Sequence, residues 1–241
     1  MKAMLLCAGS GTRLHPFTEQ TPKTMIPIGG KPLLAHTIEH LASLGIRELL
    51  INLCYKPEVI MAYFGDGERW GVKIHYSVET QPLGTAGGVK NVQAFFDEGP
   101  FLLWYGDNLS HCRVHRLLQF HREHEALFTL ALHYREDPTS SGIVATDGGG
   151  RIQRILEKPT PDQVFSHWVS AGIMILEPAV LDFIPPDAVV DLGHHVLPSL
   201  VARGERLFAY RLSEDEGLWW IDTPADLERV QSTWATRRPE P

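Results

Sequence analysis

Short apolar runs alternate with helix-spaced apolar positions through the first half of the chain, while the second half carries short runs cut by glycine and proline. The apolar run from Lys2 to Cys7 predicts a first strand. From Leu33 to Leu44, apolar residues recur at three- and four-residue intervals (Leu34, Ile38, Leu41), the period of a helix with one buried face, and Gly45 ends it. The same reading predicts a strand over Glu48 to Cys54, a helix opening at Pro57, a strand over Val72 to Val78, a helix from Thr85 to Phe96 and a strand over Phe101 to Tyr105. Strand-helix-strand repeats of this length join parallel neighbours, so this half amounts to four strands with three crossovers. Beyond it, the charged run from Arg113 to His124 reads as the solvated face of a helix. Strands are then predicted over Phe128 to Tyr134, Ile143 to Thr146, Arg151 to Leu156 and Trp168 to Leu176, with antiparallel pairing among them, and further strands over Leu207 to Leu212 and Leu218 to Ile221. Thr223-Pro224-Ala225-Asp226 combines an N-cap, an N1 proline and a capping acid, the opening of a last helix, and the tail after Trp234 is expected to fray. The fold class expected is α/β, doubly wound around a mostly parallel but mixed sheet, in a single domain over 1–241.

Composition narrows the function classes. With 241 residues, 44% hydrophobic and 21% charged, the chain can bury a substantial core. A formal charge of -7 argues against nucleic-acid and membrane-surface partners, which select basic faces, so any phosphate ligand must be held by a few local cations. Cys7, Cys54 and Cys112 are odd in number and far apart, which suits reduced thiols, and no apolar stretch is long enough for a signal peptide or membrane span. A cytoplasmic location is expected. Twelve histidines invite a metal reading, but neither His121 with His124 nor His194 with His195 stands in a ligand spacing with a nearby cysteine or carboxylate, and that reading is rejected.

The informative segment follows the first strand: Ala8-Gly9-Ser10-Gly11-Thr12-Arg13-Leu14. An open α/β sheet presents its ligand crevice at this edge, and glycines there let backbone N–H groups approach phosphate oxygens while Thr12 and Arg13 add a hydroxyl and a cation. It is not a dinucleotide fingerprint, because Leu14 stands where the third glycine would fall, and it is not a P-loop, because no GK[ST] follows. A Gly-x-Gly alone also fits an ordinary βα turn. Further on, prolines and glycines from Thr21 to Pro32 hold an extended path that can bring Lys23 to the same phosphates. Gln81-Pro82-Leu83-Gly84-Thr85-Ala86-Gly87-Gly88 lies between a strand and a helix, again at the carboxyl edge, where glycines permit a flat ligand to rest on the backbone. Asp107 and Asp222 each end an apolar strand. Mg²⁺ takes hard oxygen ligands and commonly uses one or two carboxylates with substrate phosphates, so this pair suffices without a histidine.

Gly9-x-Gly11-Thr12-Arg13-Leu14-x-Pro16-x-Thr18 followed by Pro22-Lys23 resembles the signature of the sugar-1-phosphate nucleotidylyltransferases, and the later segments arrive in that family's order over nearly the whole chain. The resemblance implies a Rossmann-like nucleotide-diphospho-sugar transferase fold, with a nucleotide-binding half over 1–110 and a sugar-phosphate-binding half over 111–241. It implies transfer of a nucleotidyl group from an NTP to a sugar 1-phosphate, giving a nucleotide sugar and pyrophosphate with Mg²⁺ as cofactor. Arg13 and Lys23 are then catalytic; Ala8, Gly9, Gly11, Thr12, Gln81, Leu83, Gly84 and Gly88 contact the nucleotide; Asp107 and Asp222 hold the metal. Glu157-Lys158-Pro159 resembles the family's Glu-Lys-Pro, with Lys158 on the sugar phosphate and Glu157 on sugar hydroxyls. Ser170-Ala171-Gly172 departs from the family's Asn-Ala-Gly by its serine, so Ser170 and Gly172 leave the identity of the sugar open. GTP with mannose 1-phosphate is the favoured pair. The alternatives are uridylyl or thymidylyl transfer to glucose 1-phosphate, or a non-catalytic regulatory subunit binding nucleotide sugars, and assembly into a homo-oligomer stays open. A chain this short is expected to exclude the C-terminal hexapeptide-repeat β-helix of longer relatives.

Overall fold

In β1 (Ala3–Leu6) the side chains alternate between two apolar layers, Ala3 and Leu5 into one and Met4 into the other, as a strand buried on both faces requires. A computed structural model describes residues 1–96 and 98–234; the tail expected to fray beyond Trp234 lies outside the described residues. After the glycine loop come a two-residue hairpin, β2 (Pro27–Ile28) and β3 (Lys31–Pro32), then α1 (Leu33–Ser43), β4 (Glu48–Leu53), α2 (Pro57–Phe64), β5 (Lys73–Val78) and α3 (Gly84–Asn91). The predicted helix to Phe96 stops early, at Asn91, and a separate 3₁₀ turn covers Gln93–Phe95. Next are β6 (Phe101–Tyr105), β7 (Asn108–Ser110), α4 (Val114–Glu123), β8 (Phe128–Tyr134), β9 (Gly142–Thr146), β10 (Ile152–Glu157) and β11 (Trp168–Leu176). The described residues close with α5 (Leu197–Ala202), β12 (Leu207–Arg211), β13 (Leu218–Trp220) and α6 (Pro224–Trp234).

Among the described residues the main sheet has nine strands, ordered β10-β9-β11-β6-β1-β4-β5 with β8 beside β11 and β12 beside β8. The expected four parallel strands form one side of it, β6-β1-β4-β5 with β5 at the edge, and β11 turns antiparallel against β6 and β8, which makes the sheet mixed. One layer beneath it gathers Leu34, Ile38, Leu49 and Trp104, the other Met4, Leu103, Phe128 and Met174. Because β1, β4, β5 and β6 run parallel, the glycine loop, Glu79 and Gly106-Asp107 all emerge at one edge.

The strand expected over Leu218 to Ile221 is present as β13, which pairs antiparallel with β7 in a ribbon of its own; the three residues of β7 are too few for a periodicity to show. One expectation needs correction. His121 is not solvated: it is 1% exposed, its Nδ1 lies 2.8 Å from Thr129 Oγ1 and its Nε2 lies 3.3 Å from Glu177 Oε1. A charged helix run hid one inward position, and burial pulls that imidazole's pKa down against the raising effect of Glu177. A third apolar cluster (Leu14, Ile28, Leu109, Trp219, Ile221, Val230) staples the glycine loop and the β2-β3 hairpin to the β7-β13 ribbon and α6. Among the described residues no helix is long and apolar enough to cross a membrane.

Candidate active site

The glycine loop is held from below. The Cys7 N–H donates to Asn52 Oδ1 at 3.0 Å, fixing the end of β1 against β4, and Thr18 Oγ1 donates to the carbonyl of Gly11 at 2.8 Å. Gly11 has φ +65° and opens a 3₁₀ turn over Thr12–Leu14. A Cβ there would stand 2.9 Å from the Lys23 Cβ, so the missing side chain is what lets Lys23 pack against the loop. Gly9 differs: a Cβ added to it would meet nothing within 4 Å, so its bareness serves no contact inside the chain.

Lys23 is 6% exposed, and its Nζ donates to Asp107 Oδ2 at 2.6 Å and to Asp222 Oδ1 at 3.0 Å. Arg13 reaches the same Asp222 oxygen at 3.1 Å. Burial alone would push the Lys23 pKa down; the two carboxylates outweigh it and hold it above the ordinary lysine value, so the ammonium stays charged. Asp107 and Asp222, separated by more than a hundred residues, are thus brought to one nitrogen. Two observations explain how. Gly106 lets the backbone pass directly over the Cys7 sulfur, and the third apolar cluster carries the β13 end across to the loop. Asp226 Oδ2 accepts from the backbone N–H of Asp222 and Thr223 at 3.2 and 3.0 Å, which anchors the strand end to α6.

These charges stand where two cavities meet. A cavity of about 360 Å³ is lined by Ala8, Gly9, Gly11, Thr12, Gly84 and Glu79, among others. A second, of about 450 Å³, is lined by Glu157, Lys158, Ser170, Gly172, Arg135 and Trp220, among others. Arg13, Asp107 and Asp222 line both.

On the first side, Glu79 at the end of β5 is 5% exposed; it accepts from Asn52 Nδ2 at 2.7 Å and from the Leu83 N–H at 3.0 Å. Gly88 lies behind this pair, since a Cβ on it would stand 2.8 Å from Glu79 Oε1 and 2.9 Å from Asn52 Nδ2. Gly84 has φ +76° and passes close against the Val190 carbonyl. Gln81 is exposed and, like Leu83 and Gly88, is not among the residues lining the cavity, so what the segment offers is Pro82, Gly84, Thr85 and the carboxylate beneath.

On the second side, backbone irregularity shapes the wall. A bulge between Ser170 and Met174 puts Gly172 at φ +67° against the Tyr105 ring, with Ser170 Oγ accepting from its N–H at 3.2 Å. Lys158 takes φ +48°, and its N–H donates to the Ser141 carbonyl at 3.1 Å. Glu157 is packed between Gly142 and Gly193, where a Cβ would come within 2.5 and 2.6 Å of its Oε2. Its burial raises the carboxyl pKa against the lowering effect of Lys158.

Sequence reasoning missed Glu79, Asn52, Thr85, Tyr105, Asp191 and Arg135. Asp191 accepts from Thr85 Oγ1 at 2.8 Å and caps a π turn (Leu192–Val196) through the N–H groups of Gly193 and His194 at 2.9 and 3.2 Å. The residues before and after it carry no spacing that sets it apart; only Glu79 had a signal, an acid ending a predicted strand just as Asp107 does.

Residues 2–233 match the family described as nucleotidyl transferase. The chain is 37% identical to a UTP-glucose-1-phosphate uridylyltransferase of Synechocystis over 99% of its length, and 37% identical to a mannose-1-phosphate guanylyltransferase of Mycobacterium tuberculosis over 94%. It spans 63% and 62% of those relatives. Among solved structures, a provisionally assigned glucose-1-phosphate thymidylyltransferase from Bacillus anthracis superposes with TM-score 0.87 at 20% identity, covering 100% of this chain and 98% of that one. HddC from Yersinia pseudotuberculosis, solved with GMP-PN, superposes with TM-score 0.82 at 21% identity over 97% and 99%. At such identity the superpositions speak for a shared Rossmann-like fold. With a matching sequence profile from the first strand to the last helix, and that fold beneath it, the chain belongs to the nucleotidyl transferase family.

Proposed function

We propose that the chain transfers a nucleotidyl group from an NTP to a sugar 1-phosphate, releasing pyrophosphate, with the nucleotide in the first cavity and the sugar phosphate in the second. The observation that carries this reading is the meeting of Arg13, Lys23, Asp107 and Asp222 at the junction of the two cavities. Two anions must be brought together there, and the attacking phosphate oxygen is already ionised. The chain therefore needs no nucleophile of its own; it needs positioned positive charge on the α-phosphate and on the leaving group. Lys23 is assigned to the α-phosphate, Arg13 to the pyrophosphate and Lys158 to the incoming sugar phosphate, with Glu157 on sugar hydroxyls. Ala8, Gly9, Gly11 and Thr12 cradle the triphosphate with backbone N–H groups.

Asp107 and Asp222 offer hard oxygen donors to a single cation, which suits Mg²⁺, an ion that completes its shell with waters and substrate phosphates. When bound, it would neutralise charge on the phosphoryl oxygens. For the base, the buried Glu79 carboxylate favours guanine: its two oxygens each accept one hydrogen bond within the chain and keep further lone pairs, and guanine presents two adjacent donors where uracil presents one. GTP with mannose 1-phosphate is accordingly the first pair to test. A matrix of GTP, UTP, dTTP, CTP and ATP against mannose and glucose 1-phosphates with Mg²⁺, scored by pyrophosphate, decides the reading. Release only when both substrates are present supports it, highest for the GTP and mannose pair; no release from any pair refutes it.

A further inference from the structure

Arg135, the first residue after β8, has no assigned task in the reaction above, yet it lines the second cavity together with Lys158, His133 and Trp220. Its guanidinium is fixed from two directions: the carbon lies 4.2 Å from the centre of the Trp220 ring, and Nη1 donates to Ser141 Oγ at 3.0 Å. Ser141 is also the residue whose carbonyl accepts from the Lys158 backbone N–H, so one residue holds the Arg135 guanidinium and the backbone from which Lys158 projects. Trp220 precedes Ile221-Asp222 in the chain, which ties Arg135 to the strand end carrying a central carboxylate. Burial pulls the Arg135 pKa down and Asp222, the strongest opposing charge, acts against it; Asp222 itself already accepts from Lys23 and Arg13. An arginine remains charged under these conditions. Beside it, His133 is pushed to about 4, by burial and then by Arg135, so the imidazole is neutral near pH 7. The result is a preset planar cation lining a cavity that also holds Asp222, the carboxylate that acts on it most and that is itself engaged by Lys23 and Arg13.

We propose that Arg135 binds the phosphate of the acceptor sugar 1-phosphate, forming with Lys158 a two-cation clamp that a hexose lacking the phosphate does not engage. The assignment rests on the nucleotidyl-transfer reading and specifies its acceptor site. A planar guanidinium meets a phosphate through two parallel N–H bonds, which fixes its orientation, whereas the Lys158 ammonium supplies a point charge.

The test compares wild type with Arg135→Ala and Arg135→Lys by initial rates, and by calorimetry with mannose 1-phosphate, glucose 1-phosphate and the free hexoses. Arg135→Ala is expected to raise the KM for the sugar 1-phosphate about ten- to a hundredfold, the loss expected of one charge-assisted contact, with the KM for NTP unchanged. Arg135→Lys should recover part of the loss, and guanidinium ion added to Arg135→Ala should recover part of it too, which a packing role would not produce. An unchanged acceptor KM, or an equal rise in both KM values with a lowered Tm, overturns the proposal. A wild type that releases no pyrophosphate with any pair refutes the parent reading. Calorimetry then judges Arg135 alone: hexose 1-phosphate binding that weakens in Arg135→Ala supports the clamp, and binding that is absent from wild type or equal in both proteins overturns it.

Discussion

Around Lys23 the charges close on one another, with one ammonium and one guanidinium satisfied by two carboxylates; in the second cavity Lys158 and Arg135 form no ion pair among the described residues. The walls differ in the same way. The first cavity is set by tight packing, a glycine against a lysine stem and a stapled apolar cluster, while the second is set by a bulge, a left-handed lysine and an aromatic shelf. A closed network is positioned before any ligand arrives. An open one leaves its cations to be satisfied by the substrate, and it is where substrate choice can be written without disturbing the centre.

Breaking the closed network should cost most. Asp222→Ala removes a carboxylate shared by Lys23 and Arg13 and is expected to lower turnover by at least about two orders of magnitude in a pyrophosphate-release assay, as for loss of a preorganised charge. Packing on the same side is probed by the glycines. Gly11→Ala forces an alanine to φ +65° with its Cβ against the Lys23 stem, and should lower stability by about 1–3 kcal/mol in thermal unfolding. Gly9→Ala, facing open space, should stay within about 0.5 kcal/mol of wild type; a matched loss in both would mean that the loop is not held by Lys23.

The contrast also marks what the sequence could disclose. The four parallel strands, α1 and the opening of α6 were legible because each is a local pattern of period or capping. The glycine loop with Gly11 was legible by its place after the first strand, whereas Lys23 and Glu157-Lys158 were legible only through the family resemblance, since a loop lysine and a Glu-Lys pair carry no pattern of their own. Arg135, Asp191 and Asn52 were not, since their meeting depends on where β8, the π turn and β4 arrive in space, and the residues beside them carry no such pattern. Likewise β7 is too short for periodicity, and His121 is one inward residue on a helix whose other polar positions face water.

On the open side, effects should be smaller and confined to one substrate. Glu157→Gln keeps the shape between Gly142 and Gly193 but removes the charge; the acceptor KM should rise about tenfold and the NTP KM should hold. A comparable rise in both would erase the division between the two cavities. The smallest effect is on acid stability. The folded pKa of His133 is depressed to about 4 from the usual 6.5, so its contribution is complete above pH 6.5 and is lost as pH falls toward 4. Denaturant unfolding across that range should show a shallower loss in His133→Gln than in wild type; identical slopes would mean that the imidazole is not buried against Arg135.

The proposed transfer depends above all on a buried, charged Lys23 held between Asp107 and Asp222, and the turnover of Lys23→Ala shows whether it does. With circular dichroism unchanged from wild type, pyrophosphate release should fall at least about a hundredfold at saturating NTP and sugar 1-phosphate. Turnover close to wild type in that folded variant would contradict it.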